Sequence, residues 1–104
     1  MTQDDILKQI VDRLLANFEV RRVVLFGSRA RGGARPDSDY DILAEVESDL
    51  PFWERHCRAL RPFRGRKYGL DLLVLTPAEV QDQSSIPGSA VDWALAEGRQ
   101  LYAK

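Results

Sequence analysis

The chain has 104 residues, 44% hydrophobic and 30% charged, with a formal net charge of −1. That length fits one small domain over residues 1–104, with a single modest core and no second domain among them to close over a substrate. The balance of 15 basic and 16 acidic residues offers no global attraction to nucleic acid or to an anionic membrane. Arginine supplies most of the basic charge, a bias that favours planar phosphate contacts and that coding preference explains equally well. The one cysteine, Cys57, excludes an intramolecular disulfide and a cysteine-based metal site. The acidic start Met1-Thr2-Gln3-Asp4-Asp5 is unlike a signal peptide. No apolar run approaches the ~20 residues of a membrane-spanning helix, so a cytoplasmic location is expected.

Ile6, Ile10, Leu14 and Phe18, with Val11 and Leu15 beside them, predict an amphipathic helix of about four turns, started by a capping box from Thr2 and Asp5. Val20 to Phe26 reads as a strand whose unbroken apolar end, Val23-Val24-Leu25-Phe26, is cut off by Gly27. Residues 27–38 are rich in Gly, Pro, Ser and Asp and read as a loop, with one helical turn capped by Ser28. Tyr40 to Val46 is the second strand. Ser48 or Asp49 caps a helix with Trp53, Cys57 and Leu60 on its apolar side, and Pro62 and Gly65 end it. Gly69 to Leu75 is a third strand, apolar apart from Asp71. Thr76 caps a helix with Pro77 at its first position. A last helix runs from Ser85 to Glu97, stopped by Gly98, and Arg99 to Tyr102 forms a short edge strand. The order predicts a small α/β (α+β) fold, a mixed β-sheet with helices packed on it.

Three local patterns carry chemistry. Gly27-Ser28 directly follows a buried strand, where a glycine lets backbone N–H groups approach an anion and a serine adds a hydroxyl. A strand-to-helix turn without any ligand has the same local sequence. Asp39-Tyr40-Asp41 opens the second strand. Residues two apart share a strand face, ~7 Å apart along the backbone, so the two like charges call for a cation between them or for open water. Mg²⁺ suits such a pair because it takes one or two carboxylates plus waters and substrate phosphates. Asp71 stands alone in an apolar strand, costly to bury without a partner. If its strand lies beside that of Asp39 and Asp41, a three-carboxylate cluster results, of the kind that holds two Mg²⁺ ions for in-line phosphoryl transfer. If it sits at the strand end in water, no partner is needed.

The combined stretch Leu25-Phe26-Gly27-Ser28-Arg29-Ala30-Arg31-Gly32 through Asp37-Ser38-Asp39-Tyr40-Asp41-Ile42-Leu43 resembles the minimal nucleotidyltransferase (MNT) family, the smallest branch of the DNA polymerase beta-like superfamily. The closing Glu97-Gly98-Arg99-Gln100-Leu101-Tyr102 is similar to that family's terminal helix-to-strand segment. The resemblance implies that Gly27 and Ser28 hold a triphosphate, and that Asp39, Asp41 and Asp71 bind two Mg²⁺ ions and carry the catalysis. Arg29 and Arg31 are candidates for phosphate contacts or a solvated loop. It implies a protein adenylyltransferase antitoxin that moves AMP from ATP to a tyrosine of a HEPN-type toxin, within a hetero-oligomer. An antitoxin acting by occlusion, or transfer to a small molecule or RNA, are the alternatives. Tyr40 departs from the aliphatic residue common between the paired acids and is expected to face away from them.

Elsewhere, His56 is expected on a helix surface and Cys57 in the core. Arg55, Arg58 and Arg61 should lie opposite Trp53, forming with Arg64, Arg66 and Lys67 a basic run that is solvated or docks nucleic acid or an acidic partner surface. Trp53 and Trp93 read as core residues or interface anchors rather than base-stacking platforms, and Phe52 as part of a partner interface.

Overall fold

Reciprocal capping opens the first helix. The Thr2 hydroxyl accepts from the Asp5 N–H at 3.1 Å, and the Asp5 carboxylate accepts from the Thr2 N–H at 3.0 Å. In the computed structural model, which describes residues 1–104, α1 (Gln3–Asn17) then buries Leu7, Ile10 and Leu14, one face of a 3.6-residue period. The remaining elements follow as β1 (Glu19–Phe26), α2 (Ser28–Arg31), β2 (Tyr40–Glu47), α3 (Phe52–Leu60, running into a 3-10 turn at Arg61–Phe63), β3 (Leu70–Leu75), α4 (Pro77–Ser84), α5 (Ala90–Glu97) and β4 (Arg99–Ala103). The strands form one mixed sheet in the order β3-β2-β1-β4. β2 and β3 run parallel, joined through α3, while β1 pairs antiparallel with both β2 and β4.

Alternation along β2 splits the core. Tyr40, Ile42, Ala44 and Val46 join α1, Ala59 and Phe63 on one side of the sheet. Leu43 joins Val24, Leu75, Val80 of α4 and Val91 and Ala94 of α5 on the other. The odd-numbered positions of β2 and β3 share that second face, so Asp41 and Asp71 lie on the α4/α5 side. No helix is long and apolar enough to cross a membrane.

Two expected elements are corrected. The helix expected over 85–97 is shorter, with residues 85–89 in a turn. Pro87 has no N–H to donate, α4 ends at Ser84, and α5 starts afresh at Ala90 with Ser89 accepting from the Asp92 N–H at 3.0 Å. In α3 the inward side is Arg55 and Ala59, whereas Trp53 and Cys57 are exposed. The cap is Pro51; Ser48 instead accepts from the Leu50 N–H at 3.1 Å. Arg55 turns inward because its partners are there: it donates to the Val74 carbonyl at 2.8 Å and, through two nitrogens, to Glu79 at 2.5 and 3.2 Å. Trp53 stacks edge-on against Phe52 and His56 at the surface. Trp93 is half exposed and so not core.

Candidate functional site

The site begins where β1 ends. Phe26 faces Asp41 across the β1–β2 ladder, and the chain turns sharply at Gly27, whose φ of 72° is a left-handed conformation that glycine adopts without strain. A Cβ at this position would run into the Asp41 carboxylate. Glycine is therefore called for by the turn, and it also lets the acid approach closely. Gly27, not Ser28, caps α2, and its carbonyl accepts from the N–H groups of Ala30 and Arg31 at 3.1 and 3.2 Å. Ser28 is the first helical residue and makes no capping bond with its side chain.

The acids come from neighbouring strands. Parallel pairing sets Asp41 directly opposite Asp71. Asp39 precedes Tyr40, whose N–H donates to the Gly69 carbonyl at 2.9 Å. A Cβ at Gly69 would overlap the Asp39 carboxylate. Burial pushes the Asp41 carboxyl above its usual range, the charges of Asp71 and Asp39 push it the same way, and Arg31 opposes them. Asp41 thus lies within reach of both other acids at one end of the sheet. Asp71 and Asp39 are exposed there and Asp41 is half-buried.

They are neighbours without being a finished cage. No group of three or more His, Cys, Asp or Glu side chains is arranged to hold a metal ion unaided. The Asp41 carboxylate lies against Gly27 and that of Asp39 over Gly69, so the two lean apart. Hard oxygen donors with uncompensated negative charge nevertheless fit Mg²⁺, which needs only one or two protein carboxylates when phosphates and water complete its shell.

The two arginines of the turn differ. Arg29 spends its donors on the following loop: Nε and Nη2 donate to the Ser38 carbonyl at 2.9 and 2.8 Å, Nη2 also to the Pro36 carbonyl at 3.2 Å, and Nη1 to Gln3 at 3.0 Å. Its guanidinium lies 4.0 Å from the centre of the Tyr40 ring. Tyr40 itself is buried on the opposite face from the acids, as expected. Arg29 therefore anchors the segment that delivers Asp39, and it does not line the cleft. Arg31 does. Together with Gly27, Ser28, Asp41, Ala90 and Trp93 it borders an open cleft of about 530 Å³ between the turn and α5. Trp93 was not legible as a site residue, because only the placement of α5 against β1 brings it there.

A glycine turn with a serine beside it thus lies against one of two facing strand acids on a small mixed sheet. The chain belongs to the nucleotidyltransferase domain family, whose model matches residues 7–86. It is 30% identical over 104 residues to a Methanocaldococcus jannaschii protein named "Putative protein adenylyltransferase", covering 98% of this chain and 100% of that one. Its fold is similar to a chain in a toxin–antitoxin crystal structure with AMP-PNP (TM-score 0.67, 22% identity, 94% of this chain and 73% of that). It is likewise similar in fold to a chain in the complex of a tri-AMPylated Shewanella oneidensis HEPN toxin with an MNT antitoxin (TM-score 0.64, 20% identity, 99% and 74%).

Proposed function

We propose that this chain is the antitoxin of a HEPN/MNT pair, a Mg²⁺-dependent adenylyltransferase that moves AMP from ATP to a tyrosine hydroxyl of its partner toxin. One observation carries the reading: Asp41 faces Asp71 across the β2–β3 ladder while its carboxylate lies against Gly27, where the turn into α2 begins. The adenylyltransferase name of the archaeal relative and the AMPylated HEPN toxin in a neighbour of the same fold support it.

The residues divide the work. The leading N–H groups of a helix have no partner within it, so the turn at Gly27 and Ser28 receives the triphosphate, with the Ser28 hydroxyl as a further donor and Arg31 as a nearby positive charge. Asp39, Asp41 and Asp71 would hold Mg²⁺ beside the nucleotide phosphates. When bound, the ion supplies charge neutralisation at the α-phosphate and at the departing pyrophosphate. The tyrosine oxygen attacks the α-phosphorus in line, the bond to the β-phosphate breaks and pyrophosphate leaves. Asp71, exposed at the open end of β3, takes the proton of the attacking hydroxyl. Arg29 keeps the Pro36–Ser38 segment, and with it Asp39, in register.

Occlusion without chemistry is the second reading, favoured by the exposed Phe52–Trp53 pair on α3, an apolar surface for a partner to cover. Incubating the protein with its HEPN partner, labelled ATP and Mg²⁺ separates the two. Transfer predicts label on a partner tyrosine, lost with chelator and in Asp39→Asn or Asp41→Asn. Neutralised toxin without label at any partner ratio leaves only occlusion.

A further inference from the structure

We propose that Trp93 is the nucleobase platform of this cleft, stacking the base of the nucleoside triphosphate whose phosphates lie on Gly27 and Ser28. The inference rests on the nucleotide reading above and deepens it: the enzyme selects a nucleotide over a bare polyphosphate through one exposed indole.

Three observations lead there. First, Trp93 borders the same cleft as Gly27, Ser28 and Asp41. Its ring is 50% exposed, while α5 docks through Val91 and Ala94, so the core does not account for it. Second, the ring already holds a flat, positively charged group: the Arg31 guanidinium lies 5.8 Å from its centre. Cation–π and base-stacking contacts use the same aromatic face. Third, Arg31 is loosely held. Its contact with Glu97 is 3.7 Å, beyond hydrogen-bond length, and both side chains are about half exposed. Phosphates arriving at the neighbouring turn draw the guanidinium off the indole, and the base takes the face it vacates. Arg31 is then a placeholder in the empty site and a phosphate contact in the filled one. The other exposed aromatic pair, Phe52 and Trp53, sits on α3, away from the cleft.

The test compares a ligand with a base to one without. In a Trp53→Phe background Trp93 is the sole tryptophan, so ATP and inorganic tripolyphosphate are titrated in turn with Mg²⁺ by fluorescence, and affinities are checked by calorimetry. ATP is expected to quench Trp93 and to bind about tenfold tighter than tripolyphosphate, the scale of one stacked base. Trp93→Leu should lower ATP affinity to the tripolyphosphate level and leave tripolyphosphate unchanged, and Trp93→Phe should recover most of the loss. If both ligands bind but Trp93→Leu holds ATP as tightly as the parent, the platform is overturned and the nucleotide site stands. If Trp93→Leu weakens both ligands equally, the ring only shapes the cleft and the platform is again overturned. If neither ligand binds the parent, the nucleotide reading falls and takes this one with it.

Discussion

The two faces of the sheet do opposite jobs. Against α1, α3 and the 3-10 turn, 14 buried residues form a continuous core that includes Ile10, Leu25, Ile42 and Phe63, each with no exposed surface. Against α4 and α5 only six residues are buried together. Those two helices leave the carboxyl-bearing end of β2 and β3 uncovered. An ionised carboxylate cannot be sealed into an apolar layer without a partner. Asp39, Asp41 and Asp71 therefore belong to the thinly covered face, and the cost of half-burying Asp41 is offset by the core on the other.

Neutralising the acid at the centre of the thin face should have the largest effect. Asp41→Asn is expected to cut AMP transfer by about 10³-fold, the scale of losing one preorganised electrostatic contact. In metal-free protein at neutral pH it should raise Tm. Burial, Asp71 and Asp39 lift the folded carboxyl above its ordinary 3.8, so its favourable contribution belongs to the acid side and the ionised form is a cost at neutrality. Thermal melts with and without Mg²⁺ would check both halves; a lower metal-free Tm would break the division between working and stabilising faces.

Cavity-forming changes compare the faces directly. Val23→Ala on the thick face should cost about 2–3 kcal/mol and Val91→Ala on the thin one about 1–2 kcal/mol in urea unfolding. Equal losses would mean that both layers carry the fold alike.

Glu79→Gln should cost about 2–3 kcal/mol, below the usual penalty for breaking a buried pair because Glu79 is partly in water. It leaves the Arg55 guanidinium, only 3% exposed, without its charge partner. The hydrogen bond from Arg55 holds the Glu79 carboxyl below its ordinary 4.5. Its stabilisation is therefore present above that value and is lost as pH falls through the lower folded one, so parent and variant should converge in acid. Smallest of all, Trp53→Ala should change unfolding free energy by less than about 0.5 kcal/mol, as befits a ring that is 71% exposed.

Much of this was legible before any coordinates. Thr2 with Asp5, and Thr76 with Pro77, announce helix starts because capping is settled within four residues. Gly27-Ser28 and Asp39-x-Asp41 are equally local, since turn geometry and strand alternation need no distant partner. Asp71 could be named but not located, because its role depends on which strand pairs with which. The inward side of α3 departs from its apolar pattern for the same kind of reason. Trp53, Cys57 and Leu60 have apolar helical spacing, yet the helix rotates to satisfy Arg55 with Glu79, 24 residues further on.

Local periodicity, capping and turn chemistry were thus determined by the sequence alone, together with the residue types from which a nucleotidyl-transfer site is built. Tertiary structure decided which acids became neighbours, that Arg29 braces the loop while Arg31 faces the cleft, and that Trp93 overlooks it. The physical reason is that a side chain's surroundings are set by the elements packed against it, and parallel pairing of β2 with β3 and docking of α5 on β1 join residues far apart along the chain.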